Sequence, residues 1–480
     1  MKNLLLKNAT IVNEGETFKG SIVISGEYIE QIIRQSDYKT EELYEYSIQQ
    51  IATQMEVLDV SGKYILPGVI DTHVHFREPG DGWKGNIESE SRAAVLGGIT
   101  SFMDMPNNTP PAITLSLLED KFASAEMSSY ANYSFYLGAG NSNIQEIKRM
   151  RCKDICGVKL FMGASTGNLM VDDDRAVEDV FKYSPTLIAA HCEDNQEIIA
   201  NLKKAEAKYG SEIPPQMHSM IRSRAACLKS SQKAVLLAQK YKARLHILHV
   251  STKEEVQLLA GVKNPPMWRR LNKDRRAMIT GEVCASYLWF CSEDYIKYGN
   301  LIKCNPSIKS AEDMMCLRKA LRENVLQTVG SDHAPHLVSE KLRPYLESPS
   351  GIPLVQYSLQ MMLTMAKYGE FTLTEVADKM SHSPARCYAL EKRGFIRSGY
   401  FADIVVVDIE NQVNNSLPRS MCRWSPFSER NIIYHRNDNK DEQLSSFPVS
   451  VVHTIVNGCL VVKDGAITGN RCSRRLKFDR

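Results

Sequence analysis

The distribution of apolar and polar positions divides the chain into three regimes. In residues 1–62, Leu4–Val12, Ser21–Ser25 and Ile29–Ile33 are short β-rich runs separated by Gly15, Gly20 and Gly26, and the polar stretch Ser36–Thr53 reads as a loop or irregular insertion. From Ile65 onward, apolar runs alternate with stretches of helical periodicity. Eight strand candidates follow: Ile65–Ile70, Ile99–Met105, Tyr133–Ala139, Gly157–Met162, Leu187–His191, Leu245–Val250, Ala277–Val283 and Leu326–Gly330. Helix-like runs lie between most of them, among them Glu88–Leu96, Leu115–Met127, Ile144–Met150, Ala176–Tyr183, Ala225–Tyr241 and Glu312–Glu323. Strands alternating with helices imply βα units and a parallel sheet. Eight such units predict an α/β fold with a closed (β/α)8, TIM-type barrel, whose functional groups gather at the C-terminal ends of the strands.

After Phe371–Met380 the β character returns, with strands at Ala402–Val407 and Val451–Val456, and Asn457-Gly458 reads as a hairpin turn. The β segments at the two ends are too short to fold alone. They are expected to pair into a small β-sandwich-like domain, residues 1–62 with 388–480, beside a barrel of residues 63–387.

Composition narrows the function classes. A chain of 480 residues with 43% hydrophobic and 24% charged residues has the profile of a soluble globular protein. A formal net charge of +3 from 59 basic and 56 acidic residues gives no reason to expect nucleic acid as a partner. The basic C-terminus, Arg471, Arg474, Arg475, Lys477 and Arg480, reads as a solvated tail. No segment approaches the roughly 18 uninterrupted apolar residues of a membrane span, and Met1–Leu6 lacks a signal-peptide pattern. Twelve scattered cysteines, such as Cys192 and Cys304 in apolar runs, read as buried thiols of a reducing cytoplasm. Cys152 and Cys156 have no second pair nearby to complete a zinc knuckle.

Candidate chemistry appears where ionisable residues end apolar strands. A parallel barrel strand is buried on both faces, so a charge at its C-terminal end needs a reason. The first strand runs into Asp71-Thr-His73-Val-His75-Phe-Arg77, and alternation places His73, His75 and Arg77 on one side. Lys159 lies in the fourth strand, His191 ends the fifth, His249 follows the sixth, and the eighth runs into Ser331-Asp332-His333-Ala-Pro-His336. His246, three residues before His249, reads as a packing residue, and His218, His382, His435 and His453 as structural ones. Four histidines and an aspartate on one rim suit a transition metal. Lys159 fits among them only if it is neutral or modified, since an ammonium would repel the metal. Carbon dioxide adds to a neutral amine to give a carbamate that can bridge two ions; an ordinary ion pair is the alternative.

This set, His-x-His, Lys, His, His, Asp in that order, resembles the amidohydrolase superfamily, in particular its cyclic amidohydrolases of the long-chain dihydroorotase type. The resemblance rests on Pro67–Gly80, Ser91-Arg-Ala-Ala, Gly97-Gly-Ile-Thr100, Asp104-Met-Pro-Asn107, Gly157-Val-Lys-Leu-Phe161, His249-Val-Ser, Ser331–His336 and Gly399–Val405, nearly the whole chain. It implies two zinc ions. His73, His75 and Asp332 would hold the more buried one and His191 and His249 the other, with carboxylated Lys159 as the bridge. Metal-activated water would be the nucleophile, and Asp332 the catalytic group that takes its proton and returns it to the leaving nitrogen. The implied substrate is a small molecule with a carboxylate, held by Arg77 through paired hydrogen bonds, by Asn107 and by His336, with Asn305 against the ring. Gly163–Asn168 resembles a mobile loop, and Ser165 or Thr166 could close over the substrate, although glycine-rich loops are commonly plain connections.

Relatives of this type usually carry a histidine pair after the seventh strand, where this chain has Ser286 and Tyr287, so a supporting role could be lost. The stretch Asn195–Arg222 exceeds a normal βα loop and has no evident function. The resemblance implies a cytoplasmic homo-oligomer, dimer or tetramer. The reaction it implies is the interconversion of N-carbamoyl-L-aspartate and dihydroorotate in pyrimidine biosynthesis. Two alternatives stay open: a cyclic amidohydrolase acting on another ring (hydantoinase- or allantoinase-like), and a non-catalytic relative that partners a transcarbamoylase.

Overall fold

The computed structural model describes residues 3–163, 169–262, 279–410, 433–437, 440–444 and 447–480. Eight parallel strands form one sheet in sequential order: Val69–Val74, Ile99–Asp104, Asn132–Gly138, Gly157–Phe161, Ile188–His191, Leu245–Ile247, Ile279–Cys284 and Thr328–Gly330. The sheet curls until its ends meet, where the His75 amide donates to the His333 carbonyl at 2.7 Å and Val74 bridges His333. The strands are buried on both faces, and helices cross over between them, among them Ile87–Leu96, Leu115–Ser128, Ile144–Arg149, Asp174–Tyr183, Arg224–Tyr241 and Ala311–Arg322. Parallel pairing requires such crossovers. The long stretch after His191 folds as a 15-residue helix, Asn195–Tyr209, followed by short turns.

The strand expected at Ile65–Ile70 is two strands. Tyr64–Pro67 pairs with Leu4–Asn13 and Ile404–Asp408 in a second sheet, and Val69–Val74 opens the barrel. The chain changes sheets at Gly68, where a Cβ would collide with the Thr100 side chain. One unbroken apolar run therefore serves two sheets. The second sheet has nine strands among the described residues, mostly antiparallel, drawn from both ends of the chain. Its Asn457-Gly458 turn has positive φ at both positions, as the tight hairpin requires.

Three expectations are corrected. The loop expected over Ser36–Thr53 contains a helix, Glu41–Ala52, whose start is capped by the Thr40 hydroxyl accepting the Leu43 N–H. Tyr44 and Ile48, one turn apart, pack on Leu5, Val23 and Ile33 of the sheet. The basic C-terminus is a strap and not a solvated tail. The Leu476 amide donates to the Tyr133 carbonyl and the Phe478 amide to the Lys153 carbonyl, and both side chains are buried with Ile70, Tyr136 and Tyr388 at the N-terminal end of the barrel. Its cations pair with acids: Arg471 with Glu88, Arg474 with Glu27, Arg475 with Glu119 and Lys477 with Asp154. Finally, Cys459 and Cys472 form a disulfide, whereas Cys192 and Cys304 are buried free thiols.

Candidate metal centre

The end of the first barrel strand carries His73 and His75 side by side, and each ring is fixed through Nδ1. His73 Nδ1 lies 2.7 Å from Glu282 Oε1, and His75 Nδ1 2.7 Å from Asn107 Oδ1. A proton held on Nδ1 leaves the Nε2 lone pair for a ligand. Both Nε2 atoms point at Asp332 Oδ1, at 3.1 and 3.2 Å. Burial brings His75 down to about 4, so its ring is neutral at pH 7. Burial works against the Asp332 charge, but His73 and the hydrogen bond with His75 outweigh it and keep the carboxyl below its ordinary range. Two imidazole nitrogens and an anion facing one point suit a cation in place of the protons they share.

The second half of the centre comes from the fifth and sixth strands. His191 Nδ1 and His249 Nε2 face each other at 2.7 Å, and His191 Nε2 lies 3.1 Å from Glu193 Oε2. Glu193 is in turn paired with Arg222, which gives the end of the Asn195–Arg222 stretch a structural task. Lys159 completes the set. It is fully buried, its Nζ has no hydrogen-bond partner among the described residues, and burial brings it down to about 7 in spite of Asp332 and Glu282. A buried, readily neutralised amine without a partner is suited to conversion into an anion. All six expected ligands line one small cavity. Arg77, His249 and Asp332 all adopt the left-handed backbone conformation, with φ of 48°, 76° and 46°. Non-glycine residues held there cost roughly 1–3 kcal/mol each and cluster at functional sites.

Beside this cavity lies a cationic corner. Arg77 is buried, donates through Nε to the Pro335 carbonyl at 3.3 Å, and places Nη2 3.1 Å from His336 Nε2. Lys84 Nζ lies 3.4 Å from His336 Nδ1 and 3.3 Å from Glu340. Burial, followed by the charges of Arg77, Lys341 and Lys84, holds His336 far below its ordinary range. Asn305 lines the cavity, and its buried Oδ1 has no hydrogen-bond partner among the described residues. Asn107 meets the centre through His75. Ser165 and Thr166 lie outside the described residues. In place of a histidine pair, Ser286 and Tyr287 are buried in a short helix after the seventh strand. The Tyr287 hydroxyl donates to the Pro306 carbonyl at 2.6 Å, bracing the turn that carries Asn305.

Sequence reasoning passed over several residues that build this site. Glu282 anchors His73 and is itself held by the Thr72 hydroxyl at 2.8 Å; a Cβ at Gly330 would come within 2.7 Å of its carboxylate. A glutamate inside the apolar strand Ile279–Cys284 was the available signal. Glu90 anchors His333 at 2.7 Å behind Asp332, and Glu193, Arg222 and Lys84 had no such signal. His246 bonds Thr280 at 2.7 Å deep in the barrel, as a packing residue does. His218 lies 2.8 Å from both the Tyr345 hydroxyl and the Cys304 carbonyl, and His382 lies 2.6 Å from the Gly394 carbonyl. His453 accepts the Asp464 N–H, and the His435 side chain is outside the described residues.

The chain is similar to known proteins. The chain is 28% identical to a dihydroorotase of Methanothermobacter thermautotrophicus, over 86% of this chain and 87% of that one. It is 30% identical to a dihydroorotase of Thermococcus kodakarensis, over 90% and 91%. Among solved structures it resembles an L-hydantoinase (dihydropyrimidinase) from Arthrobacter aurescens, with a TM-score of 0.82 at 22% identity, covering 99% of this chain and 100% of that one. A dihydropyrimidinase from Brevibacillus agri gives a TM-score of 0.81 at 24% identity, with full coverage of both chains. Likeness at that identity speaks to the fold alone. The amidohydrolase family model matches residues 64–461, from the strand that precedes the barrel to the C-terminal sheet, and with a barrel whose rim gathers His73, His75, Lys159, His191, His249 and Asp332, the chain belongs to the amidohydrolase family.

Proposed function

We propose that this chain is a dihydroorotase that interconverts N-carbamoyl-L-aspartate and dihydroorotate, with two zinc ions held by His73, His75 and Asp332 on one side and His191 and His249 on the other. Lys159, as a carbamate, would bridge them. The observation that carries the reading is a buried lysine, without a hydrogen-bond partner among the described residues, set among converging imidazole nitrogens beside a buried arginine. Bound there, the ions would lower the pKa of water and polarise the amide carbonyl that is attacked.

The protein's own groups account for the rest. Asp332 takes the proton from the attacking water at its carboxylate, then returns it to the ring nitrogen as the C–N bond breaks. In ring closure the same oxygen carries the proton the other way. Arg77 offers its planar fork to the substrate carboxylate, and His336 lies beside it. Asn305 supplies a side chain to the wall facing the ring. Asn107 Oδ1 is used by His75, so this residue acts on the site through that ring.

The test is turnover of dihydroorotate, with dihydrouracil and allantoin in parallel, on wild type and Arg77→Met. A guanidinium–carboxylate pair in a partly closed site is worth roughly 2–5 kcal/mol. The variant is therefore expected to lose about two to three orders of magnitude in kcat/KM for dihydroorotate, at about 1.4 kcal/mol per tenfold. Metal content should stay the same. Wild-type dihydroorotate kinetics in Arg77→Met would refute the carboxylate assignment and favour a hydantoinase-like reaction.

A further inference from the structure

Two lysines that belong to no expected ligand set are buried behind the cationic corner. Lys341 is fully inaccessible to solvent, and its Nζ donates to three backbone carbonyls: Lys303 at 2.9 Å, Pro349 at 2.9 Å and Gly351 at 3.0 Å. Lys303 Nζ donates to the carbonyls of Tyr345 and Ser348, both at 2.6 Å. Among the described residues neither ammonium is paired with a carboxylate. A neutral amine has two N–H donors and an ammonium three. All three contacts are hydrogen bonds only in the charged form, although burial brings the amine down to about 7 and the Lys303 carbonyl also accepts the Gly351 N–H. Burying such a charge without an anion is costly, so its retention needs a reason.

The segment these lysines grip supplies one. Residues 349–352 run beside the turn that bears Asp332: the Ala334 amide donates to the Ile352 carbonyl at 3.1 Å, and Ile352 bridges His333. Ser350 lines the cavity and its carbonyl lies 3.2 Å from His336 Nε2. Gly351 also lines the cavity, so close to its neighbours that a Cβ would come within 2.5 Å of the Ala334 carbonyl and 3.0 Å of the His336 ring. Lys341 grips the residues on either side of Ser350. Its charge also stands behind His336 and Arg77, in the corner assigned above to the substrate carboxylate.

We infer that Lys341, through its three-carbonyl cage, is a positioning residue that determines specificity for an anionic substrate. It fixes the Ser350–Gly351 wall against His336 and adds a positive charge to the field around Arg77, without touching the substrate. Lys303 holds the outer part of the same loop through Tyr345 and Ser348. This inference rests on the dihydroorotase reading of the site.

The experiment compares Lys341→Met, Lys341→Arg and Lys341→Ala in the metal-loaded full chain, using dihydroorotate and the uncharged ring dihydrouracil. Lys341→Met is expected to raise KM for dihydroorotate about 10- to 100-fold with kcat within about threefold, unchanged metal content, and no comparable change for dihydrouracil. Ammonium or methylammonium should restore Lys341→Ala at least several-fold by occupying the vacated cage, where equal concentrations of tetramethylammonium should not. Equal losses on both rings that follow a loss of metal or of folded protein, with no rescue of the alanine variant, would make Lys341 a purely structural residue and overturn the inference. Wild-type constants in all three variants would also overturn it. A wild-type protein inactive on dihydroorotate would instead sink the proposed function, and this inference with it.

Discussion

At the scale of the residue, the site is organised by side chains that fix the imidazole rings from behind. Glu282 holds His73 and Asn107 holds His75, so each of these rings presents Nε2 to the cavity, and Glu193 stands 3.1 Å from His191. Removing such an anchor typically lowers metal affinity 10- to 100-fold. Glu282→Gln is therefore expected to need about that much more free zinc for half-occupancy, as measured by titration against a competing chelator. Full wild-type affinity would mean that the ring is held by packing alone. Lys159→Ala makes a stronger demand, because it removes the proposed bridge. Metal content and turnover should both fall steeply while the circular dichroism spectrum is retained. Unchanged metal and activity would rule out the carbamate.

At the scale of the element, the C-terminal strap separates stability from chemistry. Leu476 and Phe478 plug the N-terminal end of the barrel, while the metal centre lies at the opposite, C-terminal end. Truncating a buried phenylalanine typically costs 3–5 kcal/mol. Phe478→Ala should lower the denaturant midpoint by an amount that corresponds to about that loss, with kcat at permissive temperature unchanged. A selective loss of kcat in a variant of normal stability would show that the two ends of the barrel are coupled. The acid partners of Arg471, Arg474, Arg475 and Lys477 are partly exposed, as are these cations, and such pairs at the surface contribute about 0–1 kcal/mol each. The strap is therefore held chiefly by its two buried apolar residues and its backbone hydrogen bonds.

At the scale of the whole molecule, a buried polar network joins the two sheets. Arg393 and Asp403 form an ion pair, each 4% exposed. Asp403 also accepts from Asn132 of the third barrel strand and from the Asn457 amide of the hairpin, and its carbonyl accepts the Gly68 N–H at 2.8 Å where the chain changes sheets. Breaking a buried pair by removing one partner leaves an uncompensated charge and costs about 3–5 kcal/mol. Asp403→Ala should thus destabilise the protein by that amount in equilibrium denaturation. A double variant, Asp403→Ala with Arg393→Met, should recover part of the loss. If the single variant loses under 1 kcal/mol, the network is not what joins the sheets.

The sequence by itself determined the barrel and the placing of ionisable residues at the ends of its strands, though the first expected strand proved to be two. Parallel strands buried on both faces leave an ionisable side chain conspicuous at their ends, which is why His73, His75, Lys159, His191, His249 and Asp332 could be read in order. Arg77 could be read from strand alternation beside His73 and His75, and His336 from the resemblance to the family. The partners that make those groups usable depended on distance across the barrel: Glu282 is 209 residues from His73, and Glu90 is 243 from His333. No local pattern encodes such pairings, because they arise only when the strands close. Gly68 hid a change of sheet inside one apolar run, and the helix Glu41–Ala52 was obscured because only Tyr44 and Ile48 are buried. The basic tail carried a charge pattern that suits solvent equally well. Only the tertiary structure decided that it lies across the barrel, since the acids that match it come from Glu27, Glu88, Glu119 and Asp154, on separate segments that folding brings together.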